Sequence, residues 1–296
     1  MTPQKILISR TDKIGDVVLT LPLAGFLKRA LPGAKIAFLG QKYTRPVVES
    51  CTFVDEFHDW GEIHELAEPE RLEYARVRGF DAVLHVFPNR EVARWARRAG
   101  IALRVGTTHR LFHLWTCNRW LNLSRRHSPL HEAQLNIALA RPLVAETRVT
   151  LEDISPLYGL QPKASLPSEI ETLLVPDRFN LVLHPKSKGS AREWPLESFA
   201  ALAKVLPRDR FQILVTGGPD EKPLLAACFP EHGTDAVNLA GRLSLAQLLT
   251  LISRADGLVA ASTGPLHLAA ATGRYALGIY PPIEPMHAAR WGPLGP

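Results

Sequence analysis

The stretch ILISRTDKIGDVVLTLPL, residues 6–23, contains the strand-to-helix junction that decides the fold of this chain. The apolar run Ile6–Ile8 predicts a buried strand, and the apolar run that resumes at Val17 predicts a helix. The four charged side chains between the two runs are Arg10, Asp12, Lys13 and Asp16. Because open parallel sheets bind ligands at the carboxyl ends of their strands, this loop is a candidate site.

Asp16 lies at the predicted start of the helix, directly after Gly15, which permits a close backbone approach. Two interpretations of Asp16 remain open. An aspartate here can cap the helix and favour its dipole, or it can act as a catalytic acid or base at a cleft. A GxGxxG dinucleotide fingerprint is absent from this junction, which argues against a dehydrogenase.

Short apolar runs alternate with longer amphipathic runs along the chain, as in parallel sheets flanked by helices. In the first half we predict strands near 4–9, 35–40, 80–86 and 101–105, and helices near 16–31, 62–78, 90–99 and 131–145. In the second half we predict strands near 179–184, 211–216, 257–261 and 275–279, and helices near 196–206, 219–228, 244–255 and 265–272. A proline-containing segment of mixed charge predicts a linker near 165–178. We therefore expect an α/β protein of two Rossmann-like domains, residues 1–165 and 178–296, with their parallel sheets facing across a cleft.

The amino-acid composition is that of an ordinary soluble globular protein. The 296 residues are 46% hydrophobic, and no stretch of about 18 apolar residues escapes charge, so neither a membrane span nor a signal peptide is expected. The three cysteines are far apart and form no CxxC pair, which predicts reduced thiols without a metal or redox role. We expect a cytoplasmic protein. The Pro- and Gly-rich C-terminal segment stops soon after a strand, so we expect a final helix to be missing.

The formal charge of +6 lies in the first half of the chain, because residues 166–296 hold equal numbers of acids and bases. Residues 90–148 hold 11 arginines against three acids. The aromatic residues among them include Trp95, Phe112, Trp115 and Trp120. Arginine binds phosphate and carboxylate in a bidentate manner, and tryptophan favours sugar faces or membrane interfaces. The alternative is a plain solvated face.

The stretch LHPKSKGSAREWP, residues 183–195, follows a predicted strand and is dense in cations and hydroxyls. Such a loop suits a phosphate, because Lys and Arg supply charge while hydroxyls and backbone N–H groups donate hydrogen bonds. The candidate ligands are Lys186, Ser187 and Arg192. The loop is not a Walker A motif, and a solvated basic turn is the alternative.

Two further strand-to-helix junctions carry candidate ligands. In AASTGPLHLAAATG, residues 260–273, the helix predicted to begin near Pro265 offers free N–H groups to an anion. The candidate residues of this junction are Ser262, Thr263, Gly264 and His267. In VTGGPDEKP, residues 215–223, Asp220 could hold a ribose diol, although helix capping is the commoner role of such an acid.

Four of these stretches together resemble the heptosyltransferases of glycosyltransferase family 9, which transfer ADP-activated heptose onto the inner core of lipopolysaccharide. They are SRTDKIGDVVLTLPL at 9–23, LHEAQLNIALARPL at 130–143, LHPKSKGSAREWP and STGPLHLAAATG, and they span nearly the whole chain in the family's order. The resemblance implies a GT-B fold in which the second lobe holds the donor nucleotide and the first lobe holds the acceptor.

Site residues follow from the resemblance by position. Asp16 matches the family's proposed catalytic base, and Arg192 lies where the family commonly has a lysine that contacts the donor diphosphate. The other donor-binding positions are Lys186, Ser187, Asp220, Thr263, Gly264 and His267. Ser262 departs from the family, which often has Asp at that position. For the acceptor we assign Lys13, Arg125, Arg126 and His131.

We therefore predict an inverting glycosyltransferase that transfers a sugar, heptose in the first instance, from a nucleotide sugar such as ADP-heptose to a phosphorylated lipopolysaccharide core. No cofactor, metal or nucleic acid is expected, and the enzyme should work in the cytoplasm, peripheral to the inner membrane. Two alternatives remain: a non-catalytic protein that binds anionic lipid or nucleic acid through the arginines, and a nucleotide-sugar epimerase of the same fold.

Overall fold

The structure is a computed structural model that describes residues 3–125, 128–189, 191–230, 235–283 and 286–295. The chain divides into two units, Met1–Leu160 and Gln161–Pro296. The predicted linker belongs to the second unit, because Ile170 within it is buried against Leu214 and Leu251 of that unit.

The first unit is built on a parallel sheet. Its described strands are β1 (Lys5–Ser9), β2 (Lys35–Gly40), β3 (Glu56–Asp59), β4 (Ala82–His85), β5 (Leu103–Thr107) and β6 (Arg119–Leu121). Its described helices are α1 (Ile14–Val18), α2 (Leu21–Ala30), α3 (Arg45–Val48), α4 (Trp60–Glu65), α5 (Glu68–Arg78), α6 (Arg90–Arg98), α7 (Leu111–Thr116) and α8 (Glu132–Ala138), with 3₁₀ turns at Lys42–Thr44 and Ser155–Leu157. The strand order is β3-β2-β1-β4-β5-β6. Leu7 and Val83 of this sheet are buried with Trp95 of α6 in one apolar cluster.

The second unit holds another parallel sheet. Its described strands are β7 (Phe179–His184), β8 (Phe211–Val215), β9 (Val237–Asn238), β10 (Gly257–Ala261) and β11 (Tyr275–Ile279). Its described helices are α9 (Ser168–Glu171), α10 (Leu196–Val205), α11 (Lys222–Cys228), α12 (Leu245–Arg254), α13 (Gly264–Ala271) and α14 (Ala288–Trp291), with a 3₁₀ turn at Pro219–Glu221. The strand order is β11-β10-β7-β8-β9. The α/β class and the parallel sheets predicted from the sequence are confirmed.

Two predicted helices are each split in the structure by a proline. The helix predicted over 16–31 breaks between α1 and α2, where Pro22 lies in the first turn of α2. The helix predicted over 62–78 breaks between α4 and α5, where Pro69 lies in the first turn of α5. Proline has no N–H to continue the hydrogen-bond ladder of a preceding helix, so each proline starts a new helix.

The strand order of each sheet reverses at one place. In the first unit the reversal lies between β1 and β4, and in the second unit it lies between β7 and β10. Ligands of open α/β sheets bind in the crevice outside the strand ends at such a switch point. The loops after β1, β7 and β10 carry the predicted site residues, so each unit has a candidate site at its own switch point.

Candidate active site

Arg10 is the first residue after β1 and binds two carboxylates of the following loop. Its Nε donates to Asp12 Oδ1 at 2.8 Å, and its Nη2 donates to Asp16 Oδ1. The Arg10 side chain is 5% exposed, whereas that of Asp16 is 24% exposed. A buried guanidinium therefore orients an acid that solvent still reaches. This charge-assisted hydrogen bond is compatible with a catalytic Asp16, and it does not exclude that the acid only favours the helix dipole.

Glu132 completes this network from the first position of α8. Its side chain is 2% exposed, and its Oε1 lies 3.6 Å from Arg10 Nη1 and also pairs with Arg125 Nη1. Arg125 Nη2 donates in addition to Asn136 Oδ1 at 2.9 Å, and Asn136 Nδ2 donates to Leu19 O at 2.9 Å. The ion pairs and the amide together tie α8 to the loop after β1. We had not predicted Glu132, although it was visible as one of only three acids among the 11 arginines of residues 90–148.

Asp12 and Asp16 share the guanidinium of Arg10, but Asp12 lies in the more buried setting. Burial raises the pKa of Asp12 to about 6, an effect that the positive charge of Arg10 opposes and the neighbouring carboxylate of Asp16 reinforces. Around pH 6, the charge on Asp12 therefore changes beside the candidate base.

The acceptor-side residues predicted from the sequence have different surroundings. Lys13 is exposed at the N-cap of α1, and the side chain of Arg125 is 23% exposed. His131 is buried and caps α8. Its ring Nδ1 accepts from Ala133 N at 3.2 Å, and its backbone N–H donates to Gln134 Oε1 at 3.0 Å. Its contacts are thus those of a helix cap. Arg126 lies outside the described residues.

Glu193 holds the loop after β7 in place. Its Oε1 accepts from the backbone N–H of Ser187 at 2.7 Å and from Ser187 Oγ at 2.9 Å, and its Oε2 pairs with Lys186 Nζ. Lys188 and Gly189 both adopt positive φ values, 49° and 73°, which turns the loop back on itself. Glu193 was not predicted from the sequence, because the partners of an acid in a loop depend on how the loop folds.

The cations of this loop differ in how far they are already neutralised. Lys186 is paired with Glu193, and Lys188 Nζ lies 2.9 Å from Asp220 Oδ1. Arg192 is exposed and forms no hydrogen bond or ion pair with any residue that the structure describes. An uncompensated guanidinium attracts an anion more strongly than a paired one, so Arg192 is the strongest candidate for an anion ligand among these cations.

The two acids after β8 differ in exposure and in their hydrogen-bond partners. The side chain of Asp220 is 68% exposed, and its hydrogen bond to Lys188 lowers the pKa of Asp220. Glu221 is buried, and its Oε2 accepts from Gly218 N at 2.7 Å. Glu221 therefore acts as the cap, and Asp220 is the acid that a ligand can reach.

The junction after β10 lies beside the β7 loop, because Ala260 pairs in register with His184. Ser262 follows β10 and is half-buried, Thr263 is the N-cap of α13, and Gly264 is its first residue. The Oγ1 atom of Thr263 is buried and has no hydrogen-bond partner among the described residues. His267 is buried in the first turn of the helix. A hydroxyl without a partner at a helix N-terminus fits an anionic ligand, which would supply the missing hydrogen bond.

His184 at the end of β7 is neutral in this setting. Its Nδ1 lies 2.9 Å from Thr216 Oγ1, and burial lowers its pKa to about 4, with the charge of Lys188 acting in the same direction. In the part of the chain that the structure describes, no group of three or more His, Cys, Asp or Glu could hold a metal ion. The positive charge of the β7 loop is carried by Lys and Arg side chains.

Comparisons with known proteins identify the family of this chain. The family model "Glycosyltransferase family 9 (heptosyltransferase)" matches residues 76–296. Lipopolysaccharide heptosyltransferase 2 of Salmonella typhimurium is 27% identical, over 95% of this chain and 84% of that protein.

Solved structures share the fold. The structure of E. coli ADP-heptose lps heptosyltransferase II superposes with a TM-score of 0.76 at 24% identity, covering 98% of this chain and 88% of that one. E. coli heptosyltransferase WaaC with ADP gives a TM-score of 0.77 at 20% identity, covering 98% and 91%. These likenesses show the two-unit GT-B fold.

Proposed function

The chain belongs to glycosyltransferase family 9, and from this membership we propose that it transfers heptose from ADP-heptose to a phosphorylated lipopolysaccharide inner core with inversion at the anomeric carbon. The switch point of the second unit carries this proposal. There the Arg192 guanidinium and the Thr263 hydroxyl, neither of which has a polar partner among the described residues, lie on neighbouring loops and supply what the diphosphate of a nucleotide sugar needs.

The proposed reaction is a single displacement. The acceptor hydroxyl oxygen forms a bond to the anomeric carbon while the bond from that carbon to the diphosphate oxygen breaks, and the hydroxyl proton passes to the Asp16 carboxylate. General base catalysis of this kind contributes about 10²- to 10⁴-fold in rate. ADP leaves with the bonding electron pair, and the charge of Arg192 and the amides at the start of α13 stabilise the negative charge that grows on it.

The proposed acceptor is anionic and borne on a membrane. We propose Lys13, which is exposed at the N-cap of α1, and Arg125, which shares Glu132 with Arg10, as contacts for its phosphates, and we include Arg126 by its sequence position. In the described residues no helix is long and apolar enough to cross a membrane. We propose that the protein works at the cytoplasmic face of the inner membrane and associates with it peripherally.

Arg192→Ala is expected to weaken ADP-heptose binding by about tenfold or more, because a charge-assisted contact to phosphate contributes about 1.5–3 kcal/mol. Isothermal titration calorimetry with ADP-heptose measures this. The matched control is Arg254→Ala, since Arg254 is half-exposed at the end of α12 and pairs with Glu171 instead. An unchanged dissociation constant for the Arg192 variant would remove Arg192 from the donor site.

We expect kcat to fall as the pH drops through about 6. Protonation of Asp12 removes a negative charge that would otherwise attract the proton leaving the acceptor hydroxyl. Asp12→Asn should therefore lose this acid limb and show, at neutral pH, the lower rate that the wild type reaches below pH 6. Rate profiles from pH 5 to 8 test this, and an unaltered limb in the variant would assign it to another group.

A binding screen separates this proposal from its alternatives. Calorimetry should show ADP sugars bound more tightly than UDP or GDP sugars, and ADP-heptose should be compared with an ADP-hexose because Ser262 replaces the family's frequent Asp. An epimerase would convert the donor without an acceptor, which NMR of the sugar detects. A purely anion-binding protein would bind polyanions with a steep salt dependence and no nucleotide sugar.

A further inference from the structure

Helix α7 presents its apolar side chains to solvent. Leu111, Leu114 and Trp115 are 72%, 46% and 65% exposed, and their i, i+3, i+4 spacing puts them on one helix face. The opposite face, with His113 and Thr116, is buried. This arrangement inverts the usual amphipathic pattern of a helix on a soluble protein, in which the apolar face is covered.

The exposed face is held firmly by the unit beneath it. His113 is fully buried, and its Nδ1 accepts from Thr107 N at 3.0 Å. Trp120 of β6, which is itself 47% exposed, donates from Nε1 to His113 O at 2.9 Å, and Arg97 Nη1 donates to Trp115 O at 2.7 Å. Leu111, Leu114, Trp115 and Trp120 thus form a surface on ordered backbone, which we call the α7 patch.

The surroundings of the α7 patch are exclusively basic in sequence. Residues 92–125 contain seven arginines and no Asp, Glu or Lys. The exposed arginines on α6, at the N-cap of α7 and on β6 are Arg94, Arg97, Arg98, Arg110 and Arg119. Of these, Arg98 is paired with Glu68. Apolar side chains next to arginines of the same and adjoining elements complement a surface that is both apolar and anionic.

We propose that the α7 patch docks the protein on the surface of an anionic phospholipid bilayer. Leu111, Leu114 and the two tryptophan rings enter the boundary between headgroups and acyl chains, and the arginines contact lipid phosphates. Leucine offers a sugar or a nucleic-acid base neither a hydrogen bond nor a ring on which to stack, whereas tryptophan with leucine and arginine is the composition of interfacial anchors. This inference rests on the proposed function only for its purpose, which is to bring the enzyme to a membrane-borne acceptor.

Sedimentation with sucrose-loaded vesicles tests the docking directly. The full chain should sediment with vesicles that contain phosphatidylglycerol, less with pure phosphatidylcholine, and less at high salt. Leu111→Glu and Trp115→Glu should each lower the partition coefficient by about tenfold or more, because each removes an apolar contact and adds one charge that the lipid repels. Arg110→Ala and Arg119→Ala should each lower it by about fivefold.

The matched control is Val205→Glu, which places the same charge on an equally exposed residue, 74% exposed, of α10 in the second unit. It should bind vesicles like the wild type. Because the substituted side chains of the α7 patch are exposed, the variants should fold, and circular dichroism verifies that they do.

Three results would overturn the proposal: wild-type protein that stays in the supernatant, an equal loss in Val205→Glu, or α7 variants that bind vesicles normally but convert a dimer to a monomer in light scattering. The last result would make the α7 patch a self-association surface. Vesicle binding needs no sugar donor, so its failure is separate from failure of the proposed transfer. On a water-soluble deacylated acceptor the α7 variants should transfer sugar as the wild type does, and only transfer to vesicle-embedded acceptor should fall.

Discussion

Asp16→Asn is expected to reduce kcat by about 10²- to 10⁴-fold while the dissociation constant of ADP-heptose stays unchanged. The substitution keeps the size of the side chain and an oxygen that can accept from Arg10, but it removes the base that takes the acceptor proton. The loss should therefore appear in the chemical step and not in donor binding. ADP release measured with saturating acceptor reports kcat, and calorimetry reports the dissociation constant.

Asp12→Asn is the matched comparison, because Asp12 lies in the same loop and binds the same guanidinium at 2.8 Å. We expect it to show at neutral pH the reduced rate that the wild type reaches below pH 6, and to remain far more active than Asp16→Asn. The opposite ranking, with Asp12→Asn inactive and Asp16→Asn active, would make Asp12 the base. Normal turnover in both variants would refute a catalytic role for this loop.

Glu132→Gln is expected to destabilise the first unit by about 3 kcal/mol. Breaking a buried ion pair costs about 3–5 kcal/mol, and the lower end applies because Arg10 keeps Asp12 and Asp16 as partners. For a unit of this size the melting transition should fall by about 6–12 °C in differential scanning calorimetry. The substitution preserves the shape of the side chain, so the effect isolates the charge.

Glu62→Gln provides the control for this stability measurement. Glu62 is 57% exposed and faces Lys42 and Arg45, where a surface ion pair contributes at most about 1 kcal/mol. The two variants should differ clearly in melting temperature. Equal, small shifts would mean that Glu132 is solvated in the folded protein and does not hold Arg10 and Arg125 together.

The sequence predicted which loops carry the candidate residues, but it did not predict which charged side chains pair with them. Asp16, Arg192 and Thr263 all follow strands at the two switch points, because the alternation of strands and helices places such loops at the carboxyl edge of a sheet. Glu132 and Glu193 were missed. Each acts through partners that the folded chain brings to it, and an isolated acid in the sequence does not reveal which cation it will bind.

Edge strands and helix ends were the weakest part of the fold prediction. The strands β3, β6 and β9 were not predicted, and all three are short strands at the edge of a sheet. An edge strand has a neighbour on one side only and carries little apolar periodicity. The prolines at 22 and 69 were visible in the sequence, and their consequence for helix length follows from the missing N–H.

The sequence by itself determined the α/β class, the parallel sheets, the family and the loops that carry the candidate residues, because hydrophobic periodicity and short motifs are local properties of the chain. Only the tertiary structure decided that Arg10 binds Asp16 as well as the buried Glu132, and that α7 exposes its leucines and tryptophan. It also decided that Lys186 pairs with Glu193, whereas Arg192 pairs with no residue that the structure describes. Each of these depends on which side chains meet across distant elements, and burial and charge pairing exist only after the chain has folded.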